Sequence, residues 1–195
     1  MLLRLLAGIV CAASLLTATC ASAQPWRWSD PNETMTGGRP FGRNFGSGST
    51  IARTTVSYPG QHQPGTIVIN TAERRLYFVT GNGQAIRYGV GVGRIGFTWS
   101  GVKRISSKKE WPSWTPPAQM LRRRPDLPRH MAGGPDNPLG ARAMYLGSTL
   151  YRIHGSNEPE TIGQAVSSGC FRLTNEDIVD LYNRVQVGAT VIVQQ

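Results

Sequence analysis

The sequence predicts a mainly β domain over residues 64–195, on three observations. Short β-branched and aromatic runs recur from residue 66 onward, Gly-containing or polar breaks separate them, and a single segment repeats its apolar residues at helical spacing. The first runs are 66–70 (TIVIN), 75–80 (RLYFVT) and 84–92 (QAIRYGVGV), each of a length suited to one strand. Gly81-Asn82-Gly83 joins the last two as a hairpin turn, since Gly and Asn tolerate the positive φ such turns need. Further strands are expected at 102–108, 143–146, 149–154 and 190–194.

The helix is expected over 175–186, where Ile178, Leu181, Tyr182 and Val185 fall on one face. Thr174 stands as its N-cap with Asp177 three residues on, and Gly188 supplies the stop. Residues 111–139 are Pro-rich and carry Arg122-Arg123-Arg124. This stretch is too long for a tight connection and too rich in Pro for regular structure, so it is expected as a loop laid over the domain, a candidate lid. Its arginines read as a solvated face or, above a cleft, as an attractor of carboxylates.

Ahead of the domain, Arg4, an apolar run over 5–16 and Ala21-Ser22-Ala23 form the pattern of a secretory signal peptide cleaved after Ala23. The run falls short of the roughly 18 apolar residues that span a bilayer, so no transmembrane segment is expected in the mature chain. Cys20 keeps lipid attachment open as an alternative. Residues 24–63 are rich in Gly, Pro, Ser, Thr and Arg without apolar periodicity and are expected to be a disordered tether.

Cys11 and Cys20 would leave with the signal, making Cys170 the one cysteine of the mature chain. An internal disulfide is then impossible. A lone cysteine most often packs as a small hydrophobe, but a free thiol in an oxidising compartment can also be a reactive group. The net charge is +10, or +9 once Arg4 is removed, which favours an anionic partner. Export takes nucleic acid off that list and leaves carboxylate-rich polymers and lipid headgroups, with a purely solubilising charge as the plain alternative.

Two segments carry candidate chemistry, 153–159 (IHGSNEP) and 167–173 (SSGCFRL). A thiol near its free pKa of about 8.5 needs a base or a positive field to become a nucleophile. His154 ends a predicted strand and Cys170 lies just before the helix cap, so His154 is the candidate base if the segments are neighbours. Gly169 can turn tightly and, with Cys170 N–H, offer backbone donors to an oxyanion. Arg172 carries a fork suited to a carboxylate, though an isolated arginine is more often a surface residue. His62, His130, His154 and Cys170 lack the close ligand pairs of a structural metal site, so neither metal nor cofactor is expected.

Taken together these residues resemble the L,D-transpeptidase family with its YkuD-type catalytic domain. The shared signature is a His-Gly, here His154-Gly155, followed by Ser-x-Gly-Cys, an apolar residue and Arg or Asn, here Ser167 to Arg172. The likeness extends over about 65–194, through 67–70 (IVIN), 88–93 (YGVGVG), 133–140 (GGPDNPLG) and 143–147 (AMYLG). Many members have a second His where this chain has Ser168; that His is usually not the base, and a serine can hold the same turn.

The resemblance implies a YkuD-type two-sheet β-sandwich with one main helix after the cysteine. It also implies Cys170 as nucleophile, His154 as base, the Gly155 carbonyl as orienter of the imidazole, and Ser167, Ser168, Gly169 and Arg172 as oxyanion or substrate-binding positions. The expected reaction is transfer of peptidoglycan tetrapeptide stems through a Cys thioester, with another stem, an outer-membrane protein lysine or water as acceptor. An L,D-carboxypeptidase or amidase on the same scaffold and a non-catalytic wall-binding module are the alternatives. The expected location is periplasmic and cell-wall associated.

Overall fold

The computed structural model describes residues 51–195. The signal-peptide expectation and most of the tether lie outside them.

Alternation along each run decides which residues turn inward. In β3 (Arg75–Gly81) Leu76 and Phe78 are buried while Arg75 and Tyr77 are half-buried, as period-two geometry requires. In β2 (Ile67–Asn70) Ile67, Val68 and Ile69 are all buried, because this strand is central and covered on both faces. The other strands are β1 (Thr54–Ser57), β4 (Gln84–Gly89), β5 (Val92–Gly93), β6 (Gly101–Glu110), β7 (Arg142–Leu146), β8 (Arg152–His154), β9 (Ala165–Ser167), β10 (Phe171–Arg172) and β11 (Thr190–Gln194). Nine of them form a sheet in the order β1-β4-β3-β2-β11-β6-β7-β8-β10, while β5 and β9 pair in parallel.

Strand β6 joins the two halves. Its first residues pair with β11 and its last with β7, across a register shift between Ile105 and Ser107. Ile67, Leu76 and Tyr88 from one half and Met144, Ile153 and Phe171 from the other belong to a single buried cluster. A flat nine-stranded sheet could not bring its two ends to one core, so the sheet curls into two facing halves. The mainly β expectation holds.

Helix α2 (Asn175–Arg184) inserts Ile178 and Leu181 into that core. Thr174 caps its start, its side chain accepting the Asp177 N–H at 3.1 Å. The helix ends two residues before the expected limit. There Lys108 Nζ donates to the carbonyls of Tyr182 and Val185, both at 2.6 Å, and Val185 is already extended.

Three expectations need correction. The 84–92 run is not one strand: β4 stops at Gly89, and Gly91 exchanges backbone hydrogen bonds with Arg172 at 2.8 and 2.9 Å, so the chain crosses to the other half. The tether expectation over 24–63 fails at its end. Thr54–Ser57 is a strand on the edge of β4, and Arg53 beside it contacts Asp177 at 3.3 Å and Asp180 at 3.5 Å. The 111–139 loop is not devoid of regular structure, since α1 (Ala118–Arg123) begins directly after Pro117 and ends just before Pro125. Proline is tolerated at a helix start and excludes helix from the residue before it, so the prolines frame α1 where they were expected to forbid it.

Candidate active site

The site is built on the parallel pair β8 and β10. Phe171 stands opposite Ile153 and Arg172 opposite His154. Phe171 and Ile153 point into the core, so period two turns Arg152, His154, Cys170 and Arg172 to the other face. There they line a cleft of about 450 Å3, together with Ser167 and Ser168. Two strand steps and one strand spacing separate Cys170 from His154 in this register, roughly 8 Å between their Cα atoms, a span two side chains on one face can bridge.

The imidazole is held from one side. His154 is 4% exposed, and its Nδ1 lies 2.6 Å from the Gly155 carbonyl oxygen. A carbonyl only accepts, so Nδ1 carries the proton and Nε2 is left with its lone pair. Burial, then the charges of Arg172 and Arg152, lower the His154 pKa to about 3, against the opposing hydrogen bond to Gly155. The imidazole is therefore neutral through the physiological range. Residue 155 must be Gly, because an added Cβ would collide with Asn175 Oδ1, which accepts the Ala141 N–H at 2.9 Å.

Cys170 is half-buried, with Sγ 3.7 Å from the Leu150 carbonyl oxygen. Burial pushes its thiol pKa up, while hydrogen bonding and charge from Arg152, then the charge of Arg172, pull it down. The preceding turn is braced from within. Ser167 Oγ donates to the Cys170 carbonyl at 2.6 Å and accepts the Gly169 N–H at 3.1 Å. Gly169 N–H is thus engaged with Ser167 and does not face the cleft as an oxyanion donor. What Gly169 supplies is backbone conformation: its φ is +105°, and a Cβ there would lie 2.6 Å from Tyr151 Cε1.

Ser168, in the place of the family's second His, is reached by Arg94 Nη1 at 3.4 Å. Arg172 is ion-paired with Glu158 at 2.9 Å at the edge of the site. The Pro-rich loop forms one wall of the cleft through Trp114, Pro117, Met120 and Arg123. Arg123 and Arg94 both lie over the Phe97 ring, at 5.1 and 4.3 Å from its centroid. Of the arginine cluster, Arg123 therefore reaches the cleft.

Several contributors were not singled out from sequence. Arg152 was legible in principle, since it stands two residues before His154 on the same strand face. Trp99, whose Nε1 donates to the Gly169 carbonyl at 2.9 Å and whose ring stacks on Tyr151 at 4.7 Å, gave no local signal. Among the described residues no cluster of three or more His, Cys, Asp or Glu side chains could hold a metal ion. No helix among them is long and apolar enough to cross a membrane.

The family model described as the YkuD L,D-transpeptidase catalytic domain matches residues 64–193. The chain belongs to the YkuD family. Within that family it is similar to YbiS of Escherichia coli K12, named as a probable L,D-transpeptidase. The two are 42% identical over 134 residues, which cover 64% of this chain and 43% of that protein. The chain thus spans less than half the length of this relative. L,D-transpeptidase 3 from Mycobacterium tuberculosis shares the YkuD fold, with a TM-score of 0.53 at 20% identity over 67% of this chain and 60% of that one. A crystal structure from Brucella melitensis is 45% identical, with a TM-score of 0.51 over 74% of this chain and 94% of its own. That protein is described as a probable carnitine operon oxidoreductase, a different activity from the one the YkuD match names.

Proposed function

We propose that this chain is an exported L,D-transpeptidase that transfers peptidoglycan tetrapeptide stems through a thioester on Cys170, with His154 as general base. The observation that carries the reading is the β8–β10 register, which turns Cys170 and His154 to one cleft face while Gly155 occupies the far nitrogen of the imidazole. A protonated Nδ1 leaves Nε2 as the basic atom, and among the described residues no other His lines this cleft.

The resting pair is neutral, because burial raises the thiol pKa and lowers that of the imidazole. Proton transfer therefore accompanies attack. Sγ bonds to the donor carbonyl carbon as its proton moves to His154 Nε2, and Cys170 N–H, which meets no acceptor among the described residues, faces the developing oxyanion. Collapse breaks the amide bond, Nε2 returns the proton to the departing D-alanine nitrogen, and a thioester remains. An acceptor amine attacks that carbonyl, loses a proton to Nε2, and expels Sγ, which recovers the proton.

The stem's diaminopimelate side-chain amine as acceptor gives a 3→3 cross-link; a lysine of an outer-membrane protein gives wall anchoring; water gives a carboxypeptidase. The Arg172–Glu158 pair offers a fork for a stem carboxylate on one side and a carboxylate for an amine on the other. Incubating the protein with defined disaccharide tetrapeptides and resolving products by mass is the test. Cross-linked dimers support transfer, tripeptides alone point to hydrolysis, and unchanged substrate favours a wall-binding module.

A further inference from the structure

Arg152 and Cys170 converge on one acceptor. Arg152 Nη1 donates to the Leu150 carbonyl oxygen at 3.1 Å, and Cys170 Sγ points its proton at the same oxygen from 3.7 Å. The strand register continues one step beyond Phe171 and Ile153 to set Cys170 beside Arg152. Arg152 Nε is buried and has no hydrogen-bond partner, although the residue lines the cleft. A buried N–H of a cation left unpaired is costly, and the group it would satisfy is an anion formed beside it.

The surrounding charges single this residue out. The cleft that holds the thiol is lined by Arg152 and His154 from β8, Arg172 from β10, Arg123 from α1 and Tyr151 from the turn before β8, with Arg94 reaching Ser168. Arg172 Nε is buried and unpartnered as well, but its Nη1 is already paired with Glu158, whereas Arg152 has no carboxylate partner among the described residues and meets the Leu150 carbonyl and the Tyr145 ring, 5.3 Å from its guanidinium.

We propose that Arg152 is a positioning residue for the nucleophile, its guanidinium receiving the Cys170 thiolate as it forms and keeping Sγ aimed into the cleft. This rests on the reading of Cys170 as nucleophile. The thiol proton goes to His154 Nε2, Arg152 stays protonated throughout, and one of its N–H groups turns from the Leu150 carbonyl to sulfur. Burial pushes the thiol pKa up; the backbone N–H of Arg152 is the first opposing influence and the charge and hydrogen bond of its guanidinium the next, while that charge disfavours imidazolium at His154. Arg152 therefore assists through sulfur and not through the base.

The test measures the rate of iodoacetamide alkylation of Cys170 against pH in the full chain, for Arg152→Gln, Arg152→Met and Arg152→Lys, beside steady-state transfer. The neutral variants are expected to move the alkylation midpoint up by about one pH unit and slow alkylation about tenfold at pH 7. In transfer, kcat should fall by a similar factor with KM little changed, and Lys should restore most of both. Met keeps the apolar stem over Tyr145 and reports even if Gln fails to fold. Profiles that superimpose on the parent, with only thermal stability lowered, would overturn the proposal and leave Arg152 a packing residue. Transfer that persists in Cys170→Ala would instead remove the nucleophile assignment, a distinct failure.

Discussion

Ser167 Oγ donates to the Cys170 carbonyl oxygen at 2.6 Å while accepting the N–H of the glycine between them, so one hydroxyl fixes the three-residue turn that presents the thiol. Its burial means that no water replaces it easily.

Ser167→Ala should therefore cost about 1–3 kcal/mol of stability, the penalty for leaving a buried donor and acceptor unpaired. Urea unfolding measures that cost. Transfer by the folded fraction should drop about tenfold or more, because a turn displaced by a fraction of an ångström misaims Sγ.

Gly169→Ala meets two obstacles, a positive φ and the Tyr151 ring. Activity should be lost, and Gly169→Ala combined with Tyr151→Leu should regain stability but little activity, because removing the ring leaves the φ penalty in place. Parallel melting curves and transfer rates separate the two contributions.

The buried imidazole makes a signed prediction about pH. The folded His154 pKa, about 3, lies below its ordinary value of 6.5, so on acidification the unfolded chain takes up a proton that the folded chain refuses. Well above 6.5 neither state is protonated and nothing is lost. Between 6.5 and 3 the parent should lose about 1.4 kcal/mol per pH unit relative to His154→Phe. Unfolding of both proteins at pH 7 and pH 4.5 checks it, and equal losses in the two would contradict the burial of a neutral imidazole.

Lys108 secures the end of α2. Lys108→Met removes two donors from the Tyr182 and Val185 carbonyls and its ammonium from above the Tyr182 ring, 4.1 Å away. Stability should fall by about 1–2 kcal/mol. Circular dichroism melts should register the loss, and transfer at low temperature should stay near the parent rate because Lys108 lies outside the cleft.

Local signals were readable in advance where a residue's chemistry acts on its own neighbours. The Gly81-Asn82-Gly83 turn takes positive φ at all three residues, and Thr174 caps α2 at the expected place. The strands from β2 to β4 begin within a residue of their β-branched runs. What escaped was non-local. Strand β1 exists because β4 has a free edge and Asp177 and Asp180 offer carboxylates to Arg53, partners more than a hundred positions away. The 84–92 run breaks because Gly91 finds the Arg172 backbone, an interaction without a trace in the run itself. At the site, the chemistry of His154 and Cys170 marked them as candidates, and Ser167 entered through the family resemblance. The engagement of Gly169 N–H with Ser167, and the approach of Arg152 to the thiol, depend on register and could only be read from the fold.

Acylation of Cys170, with His154 as its base, is the step on which the proposed activity depends. Intact-protein mass spectrometry after brief exposure to a disaccharide tetrapeptide donor, without acceptor, tests it directly. The expected result is an adduct equal to the donor less D-alanine on Cys170, absent from Cys170→Ala and formed far more slowly by His154→Gln. Cross-linked product from Cys170→Ala, or an adduct mapped to any other residue, would contradict it.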